Sequence, residues 1–565
     1  MGISDRLNSI NMVKNLSISS IILNLFCLIS GALYIIDPFE SELWQIFGII
    51  LAITIFLNLG LSFLNSLKIN RPNKHGHLLN LLTYCFLIFT MMSVMGILGG
   101  NLLISTTISS KSVGFLAGEA LTYFFYFGMF LFGLTKSVLI LKYIRIDREK
   151  PYESPPIRIM KLGHKMKRLI RVFSQLLFIL GIIFAITTVF GSFEIVTTFI
   201  AIISGQFGVF FSFIFFANTL LLIKLRKDTW SKKKVRRKAI GGTFISLILL
   251  LPFMIAGVTA FRAEINFSQT LGINWQDKIP SEINQQFLQS PFTSTSYFLG
   301  ESPKECVIQQ DVLYYQNNSL SLYFDAYLPV SREHTPGQNS TLIRIHGGAW
   351  TSGDKGAFNN VQMNKYFAAQ GYVVFDIQYG LKGIPLSSSN TQIGDYNIDD
   401  MLHHIGKFTD YLVNHSKEYG ANTNSVFISG GSSGGHLTCA SALAISSGNY
   451  SEIFNQEIKI KGYIPFYPAN GAMGFFGIDG RPEFKNPQML ITKNSPPCLI
   501  FQGTHDILNY FGISLGFRDV YLHNSNNNCT ILWMPFGGHG SDFYFSGYYN
   551  QIFLYYMERF MYIYQ

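Results

Sequence analysis

Seven apolar runs fill most of the first 260 residues, and they constrain the fold of this chain more than any other feature. Each run approaches the roughly twenty residues that a helix needs to cross a bilayer. The runs lie at about 16–36, 43–64, 78–98, 115–141, 173–191, 199–224 and 240–260. The sixth run is long enough to tilt or to begin before the hydrocarbon. We therefore expect a multi-pass α-helical membrane domain with seven spans over residues 1–261.

Basic residues cluster in alternate loops between these runs, which indicates the orientation of the helices. Residues 1–262 hold 27 basic and 10 acidic side chains, whereas the rest of the chain holds 16 and 23. The surplus lies at 68–74, 142–171 and 224–238, so the net charge of +10 gives no indication of a nucleic-acid partner. By the positive-inside rule these loops and the amino terminus are cytoplasmic. Seven crossings then put everything after about residue 260 on the exoplasmic side, extracellular or luminal.

The second half of the chain follows a predicted juxtamembrane linker at 262–306 and alternates between strands and helices. Segments 307–315 and 320–328 predict an antiparallel hairpin. Further strands are expected at 341–346, 372–379, 426–429, 460–466, 498–503 and 530–534, with helices at 359–370, 396–419, 434–447, 510–523 and 547–562. Buried strands joined by crossover helices form a mostly parallel sheet flanked by helices. An α/β domain over 307–565 is therefore predicted.

Ser432 lies in a Gly-x-Ser-x-Gly string between a predicted strand and a predicted helix. A nucleophile elbow needs this context, because its strained turn packs the flanking residues together and leaves no space for their Cβ atoms. Gly430 and Gly434 satisfy that need. The hydroxyl would stand at the carboxyl edge of the sheet, beside a helix amino terminus whose dipole favours developing negative charge. Ser432 is therefore the candidate nucleophile.

Three strings together carry a resemblance to a known family over roughly residues 307–562. They are His346-Gly347-Gly348-Ala349-Trp350, Gly430-Gly431-Ser432-Ser433-Gly434 and Gly538-His539-Gly540. This half of the chain resembles the acetyl-esterase and hormone-sensitive-lipase-like branch of the α/β-hydrolase superfamily. The resemblance implies an α/β-hydrolase fold and a serine esterase that hydrolyses small-acyl or lipid-borne carboxylic esters. It does not extend to the membrane half.

The resemblance also implies that the catalytic acid follows the serine and that the histidine comes last. A serine hydroxyl is a poor nucleophile unless a positioned base accepts its proton. His539, in a glycine-rich loop after the last strand, is the preferred base, and His523, toward the end of a helix, is the alternative. Asp506 directly follows the strand at 498–503 and is the preferred acid. Asp542, close to His539 in sequence, is its rival.

Backbone amides are expected to stabilise the oxyanion that forms when the serine attacks an acyl carbonyl. Small residues let such amides approach, so Gly347, Gly348 and the amide of Ser433 are the expected oxyanion hole. His346 is expected to support that turn rather than to act as a second base, and Trp350 to pack or to line the pocket. A scaffold role is expected for the acidic residues near the start of the helix at 396–419, namely Asp395, Asp399 and Asp400.

Two positions depart from the pattern of these relatives. The run Tyr379-Gly380-Leu381 stands where they commonly have a Tyr-Arg-Leu-Ala-Pro-Glu-like run, and Gly431 replaces the more usual acidic, His or Gln residue before the nucleophile. Neither change removes a catalytic group, so the mouth of the site is expected to differ rather than its chemistry. Residues 470–495 are rich in Gly, Phe and Pro and are candidates for a lid, with a plain surface loop as the alternative.

Two other hypotheses of function stay open. One is a catalytically idle hydrolase fold that serves as an exoplasmic receptor or adhesion module, against which the three retained triad candidates argue. The other makes the membrane half a transporter, with Glu119 and Lys136 lining a path and the hydrolase domain as an accessory. No metal cluster, phosphate loop or nucleic-acid signature competes in the sequence. The expected partners are therefore an ester substrate and membrane lipids, with no cofactor.

Overall fold

The N-terminal half of the computed structural model consists of long helices. The structure describes residues 3–38, 42–68, 74–149, 163–227, 229–357, 360–383 and 392–565. The helices of this half are α1 (Ile3–Ile36), α2 (Glu42–Lys68), α3 (Lys74–Thr106), α4 (Val113–Glu149), α5 (His164–Phe190), α6 (Ile195–Gln206), α7 (Gly208–Lys224), α8 (Lys232–Met254) and α9 (Ala256–Leu271). Six stretches in the described residues are long and apolar enough to cross a membrane, α8 and α9 together forming one of them. This indicates a membrane protein.

The sixth predicted span is bent rather than continuous. Helices α6 and α7 meet at Phe207 with an angle of 94° between them, and they make a seventh span only if the pair counts as one. Gly208 begins α7 so close to α8 that an added Cβ would lie 2.4 Å from the carbonyl oxygen of Leu249. An apolar run does not predict such a bend, because both limbs are equally hydrophobic.

The basic loops of the sequence analysis are described only in part. The loops at 68–74 and 142–171 include residues 69–73 and 150–162, which lie outside the described residues. The loop at 224–238 contains the start of α8, where the hydroxyl of Ser231 accepts the N–H of Lys234 at 3.2 Å. This N-cap marks the start of α8, so residues 232–238 of the predicted loop belong to the helix.

Residues 262–306, expected to form a linker, are instead packed into the structure. Helix α9 continues to Leu271, and it is followed by a 3-10 turn at Trp275–Lys278, by α10 (Ser281–Asn284) and by α11 (Ser294–Leu299). Trp275, Tyr297 and Phe298 are each at most 3% exposed. The hydroxyl of Ser294 donates to the carbonyl of Gln45 in α2 at 2.8 Å. The irregular spacing of the buried aromatic residues gives no periodic signal, which is why the sequence suggests a linker.

One eight-stranded sheet organises the C-terminal half, in the order β1-β2-β4-β3-β7-β8-β9-β10. The strands are β1 (Val307–Gln316), β2 (Ser321–Leu328), β3 (Ser340–Ile345), β4 (Val373–Ile377), β7 (Asn422–Gly431), β8 (Ile460–Phe466), β9 (Cys498–Gly503) and β10 (Cys529–Met534), while β5 (Leu381–Lys382) and β6 (Ile393–Gly394) pair separately. β2 pairs antiparallel with β1 and β4, and all later neighbours are parallel. The predicted mostly parallel sheet is therefore confirmed.

Helices cover both faces of this sheet. They are α12 (Asn360–Ala369), α13 (Ile398–Tyr419), α14 (Ser433–Ser447), α15 (Pro482–Lys485), α16 (Phe511–His523) and α17 (Tyr548–Tyr564). The face under α13, α14 and α16 has a hydrophobic core of its own. The face under α12 and α17 belongs to a second cluster, which continues into the membrane helices through residues such as Phe210 and Tyr297. The two halves of the chain therefore share one hydrophobic core.

Candidate active site

A tight turn between β7 and α14 holds Ser432 at φ +58° and ψ −121°. Residues other than glycine rarely adopt this backbone conformation. The turn packs against β3 without space for flanking side chains. An added Cβ would lie 2.4 Å from the carbonyl oxygen of Ile345 at Gly430, and 2.2 Å from it at Gly434. The strand and the helix that flank Ser432 therefore pack closely, as a nucleophile elbow requires. The Ser432 hydroxyl lies at the carboxyl edge of the sheet.

Three side chains from separate loops meet at this edge. The Oγ of Ser432 lies 3.0 Å from Nε2 of His539, whose Nδ1 lies 2.9 Å from Oδ2 of Asp506. The other oxygen of Asp506 accepts the backbone N–H groups of Leu508 and Asn509 at 3.0 and 2.9 Å, which fixes the carboxylate. A carboxylate at Nδ1 favours the tautomer with its proton on that nitrogen. Nε2 is then free to accept a proton from the serine.

The structure sets the alternative acid and base apart from this chain of hydrogen bonds. Oδ1 of Asp542 accepts the hydroxyl of Tyr467 at 2.8 Å, and burial raises the pKa of the Asp542 carboxyl. His523 is exposed at the end of α16, with Nδ1 2.7 Å from the carbonyl oxygen of Asp519. Neither group therefore occupies the position that Asp506 or His539 takes.

The turn after β3 brings two glycines to the elbow. An added Cβ on Gly347 would lie 2.6 Å from the carbonyl oxygen of Gly431 and 3.4 Å from Cβ of Ser432. Gly348 has φ +130°, which a side chain would strain. Ser433 is the first residue of α14, so its amide N–H has no acceptor within the helix. Backbone amides from both turns thus adjoin the serine.

His346 lies behind this turn rather than in the site. Its ring stacks on Tyr379 with centroids 4.5 Å apart, and Nδ1 lies 2.9 Å from the carbonyl oxygen of Gly347. Burial lowers the pKa of His346. The hydroxyl of Tyr379 donates to the His346 carbonyl at 3.1 Å, so the unusual run that begins at Tyr379 supports the turn. Trp350 is fully buried, and its ring lies edge-on to that of Phe476 at 5.7 Å.

The segment at 470–495 is folded rather than an open loop. It contains a 3-10 turn at Met473–Phe476, helix α15 and a second 3-10 turn. The guanidinium Nε of Arg481 lies 2.8 Å from Oδ1 of Asp399, which ties the segment to the start of α13. Asp400 forms a capping box with Asn397 at the same helix end. Asp395 pairs with Lys382 at the surface, 3.0 Å away.

Two further residues that the sequence analysis missed lie beside the triad. Tyr467 directly follows β8, has φ +35°, and places its ring centroid 4.6 Å from that of His539. The side chain of Asn509 donates to the carbonyl of Tyr467 at 2.6 Å, while its backbone amide binds Asp506. Both residues follow carboxyl ends of parallel strands, where sites of open α/β sheets collect. Their position after these strands was the signal in the sequence that could have identified them.

Helix α6 of the N-terminal half contacts the loop that carries His539, which the sequence analysis also missed. Nε2 of Gln206, the last residue of α6, donates to the carbonyl of Gly540 at 3.3 Å, and its Oε1 accepts the N–H of Tyr544 at 2.9 Å. The imidazole Nε2 of His505 lies 3.0 Å from the carbonyl oxygen of Val189. A glutamine inside an apolar run was the signal that could have indicated such a contact.

The two residues considered for a transport path lie far apart. Glu119 and Lys136 are both on α4, and seventeen residues of helix separate them by about 26 Å along the axis. Nζ of Lys136 donates to the carbonyl of Asn58 at 3.3 Å and lies 3.9 Å from the ring centroid of Phe86. Glu119 lines a cavity between the membrane helices and residues 299–302. The lysine is thus held by local contacts.

Comparison with known proteins relates the C-terminal half to esterases. Residues 324–473 match the family model described as BD-FAE. The chain is 24% identical over 234 residues to the probable carboxylic ester hydrolase LipM of Mycobacterium tuberculosis, a match that covers 36% of this chain and 50% of the relative. The chain therefore spans about half the length of that curated relative. The expected similarity to carboxylic ester hydrolases is confirmed for this part of the chain.

Solved esterase structures are similar to the same half. Esterase 2 of Thermogutta terrifontis in its apo form is 21% identical, with a TM-score of 0.35, and the match covers 46% of this chain and 91% of that one. Esterase B from Lactobacillus rhamnosis is 20% identical, with a TM-score of 0.34, and the match covers 43% and 80%.

Proposed function

We propose that this protein is a membrane-anchored serine esterase that hydrolyses carboxylic esters through an acyl-Ser432 intermediate. The observation that carries the proposal is the continuous chain of hydrogen bonds from Ser432 through His539 to Asp506, with distances of 3.0 and 2.9 Å. A serine attacks an acyl carbonyl at neutral pH only when a base accepts its proton and an acid orients that base, and the three residues stand in this order.

Each residue has a defined step in the proposed reaction. His539 takes the proton from Ser432 Oγ as that oxygen attacks the ester carbonyl, and Asp506 holds the imidazole and stabilises its charge. The amides of Gly347, Gly348 and Ser433 donate to the resulting oxyanion. His539 then gives its proton to the departing alcohol. Water, deprotonated by His539, releases the acid and restores the serine.

The membrane arrangement is part of the proposal. The helices at 1–261 span the bilayer with the amino terminus in the cytoplasm, and the domain at 307–565 faces the exoplasmic side. The two ends of α7 support this orientation. Lys224 at one end begins a basic loop, as expected on the cytoplasmic side. Phe207 at the other end adjoins the contact between Gln206 and the hydrolase domain.

Labelling with a fluorophosphonate probe tests the chemistry in membranes that contain the full-length protein. The wild type is expected to be labelled, Ser432→Ala to be unlabelled, and His539→Ala to be labelled at least about a hundredfold more slowly because its base is absent. Labelling that survives in Ser432→Ala contradicts the assignment of the nucleophile. A wild type that is never labelled supports the idle receptor or adhesion module instead. Protease protection in sealed vesicles tests which side carries the domain.

A further inference from the structure

Helix α6 is too short to cross a membrane and turns sharply away from its neighbour. Its twelve residues rise about 18 Å, whereas the hydrocarbon core is about 30 Å thick. Helix α7 is buried along most of its length and runs to the basic loop at Lys224. If α7 crosses the bilayer as proposed above, the bend of 94° lays α6 nearly in the membrane plane, at the exoplasmic end of α7.

The two faces of α6 differ as those of an interfacial helix do. One stripe consists of Val196, Phe199 and Ile203, which are 65%, 64% and 38% exposed and repeat at helical spacing. The opposite stripe is made of small residues, and its Ala201 and Ser204 are buried. A helix that lies in the interface buries its apolar face at the boundary between headgroups and acyl chains. The apolar stripe of α6 suits that depth.

The loop that carries His539 rests directly on the small-residue face of α6. An added Cβ on Gly538 would lie 3.5 Å from the backbone carbon of Ala201. Two residues further along the loop, the carbonyl of Gly540 accepts a hydrogen bond from the side-chain amide of Gln206. Both neighbours of His539, Gly538 and Gly540, thus contact α6 directly, so the catalytic edge of the sheet lies at the depth of this helix.

Exposed apolar side chains continue from the membrane half onto the hydrolase domain. Phe190 and Phe193 are 70% and 66% exposed beside Gly191, and an added Cβ on Gly191 would lie 3.1 Å from the His505 ring. On the other side of that contact, Ile507 and Leu508 are 42% and 46% exposed and directly follow Asp506. Exposed apolar side chains grouped next to a site are typical of a surface that contacts the membrane.

We propose that the ester cleaved at Ser432 is the acyl ester of a membrane glycerolipid, presented from the bilayer across α6. The inference rests on the proposed esterase function and specifies its substrate class. Glycerolipid ester bonds lie between the headgroups and the acyl chains, at the depth assigned to α6. The acyl group passes to Ser432 Oγ, the lysolipid leaves as an alcohol with a proton from His539, and water then releases the fatty acid.

The test uses the full-length protein in phosphatidylcholine vesicles and two substrates. One is phosphatidylcholine with a fluorogenic acyl ester in the bilayer, and the other is water-soluble p-nitrophenyl acetate. Wild type is expected to hydrolyse both above the background of Ser432→Ala. Hydrolysis of the soluble ester alone overturns the lipid proposal and leaves the esterase intact. Hydrolysis of neither, with no fluorophosphonate labelling, is a failure of the proposed function itself.

Matched variants test the role of α6. Phe199→Asp puts a charge on its apolar stripe and is expected to lower the ratio of lipid to soluble-ester hydrolysis about tenfold, since burying a phenylalanine contributes at least that factor. Val330→Asp is the control, because Val330 is 68% exposed just after β2, at the sheet edge opposite Ser432. Equal ratios in the two variants overturn the role of α6. Phe193→Ser, outside the helix, repeats the test if Phe199→Asp does not fold.

Discussion

The side-chain amide of Gln206 donates to the carbonyl of Gly540 across the boundary between the membrane helices and the hydrolase domain, at 3.3 Å. Gly540 directly follows His539, so this bond ties the loop of the proposed base to the break between α6 and α7. The same side chain accepts the N–H of Tyr544, which anchors the far end of the loop. Gln206 is thus placed to position His539 through the backbone of its loop.

Replacing Gln206 by leucine tests that positioning role. The change leaves two buried backbone groups without their partner and lets the His539 loop shift. We expect kcat on p-nitrophenyl acetate to fall between about tenfold and a hundredfold with little change in KM, because misplacement of a reacting group costs rate more than binding. Gln45→Leu is the matched control, since Gln45 also links an N-terminal helix to a later part of the chain but bonds at Ser290 and Ser294, away from the His539 loop. An equal loss of kcat in both variants would contradict the role.

The proposed acid and its rival are distinguished by paired substitutions. Asp506→Asn is expected to lower kcat by about a hundredfold to ten-thousandfold, because the amide no longer holds His539 in the tautomer with its proton on Nδ1. Asp542→Asn is expected to keep most of the activity, since an amide oxygen can still accept the Tyr467 hydroxyl. Steady-state kinetics on a soluble ester give both numbers. The reverse order of effects would make Asp542 the acid.

The close packing of the turn at Ser432 predicts that one methyl group added at Gly434 lowers both stability and activity. The Cβ introduced by Gly434→Ala would lie 2.2 Å from the carbonyl oxygen of Ile345 and 2.5 Å from that of His346, so backbone has to move. We expect loss of fluorophosphonate labelling and a lower melting temperature. Gly516→Ala, in α16 with no neighbour within 4 Å, is the control and is expected to be neutral or stabilising by about 0.5–1 kcal/mol. A labelled, fully stable Gly434→Ala protein would contradict the close packing.

Acid is expected to destabilise the hydrolase domain through His404. Its Nδ1 accepts the N–H of Gly380 at 3.2 Å, so it is held neutral, and burial lowers the pKa of His404 from 6.5 to about 4. Between these values the unfolded chain binds a proton that the native state does not. The free energy of unfolding therefore falls as pH drops from 6.5 to 4, by about 3 kcal/mol in full.

Melting temperatures between pH 7 and pH 4.5 check this prediction in the detergent-solubilised full-length protein. His404→Gln keeps an acceptor for Gly380 and does not titrate, so its melting temperature should fall less with acid than that of the wild type. His403→Gln alters the exposed neighbouring histidine and should behave like the wild type. If His404→Gln and the wild type lose stability in parallel, another group controls the response to acid.

Local patterns in the sequence predicted most of the hydrolase fold. The strands β8 and β9 begin and end where the apolar runs do, and the hairpin of β1 and β2 is displaced by one residue at most. These elements were predictable because a buried strand bounded by turn residues has a distinct composition. Ser432 became the candidate nucleophile through its glycine-flanked turn between a strand and a helix. His539 became the candidate base through its glycine-rich loop and the chain order that the family resemblance implies.

What the sequence could not indicate is how the two halves contact each other. The bend at Phe207 lies within one apolar run. The buried segment at 262–306 lacks periodicity because its anchors contact several different elements; Tyr297, for example, packs against Phe210 of α7 and Tyr548 of α17. Tyr467 and Gln206 contact residues that are distant from them in sequence. Such contacts depend on tertiary geometry, on which a one-dimensional pattern carries no information.

The hydrophobic cluster shared by the membrane helices and the face of the sheet under α12 and α17 has a consequence for any attempt to produce the enzyme in soluble form. A truncated version starting near Val307 would bare Tyr544 and Tyr548, which are 1% exposed in the intact chain and pack against Phe210, Phe253 and Tyr297. It would precipitate or need detergent. If the domain faces the exoplasmic side as proposed, proteolytic shedding would for the same reason release an aggregating fragment.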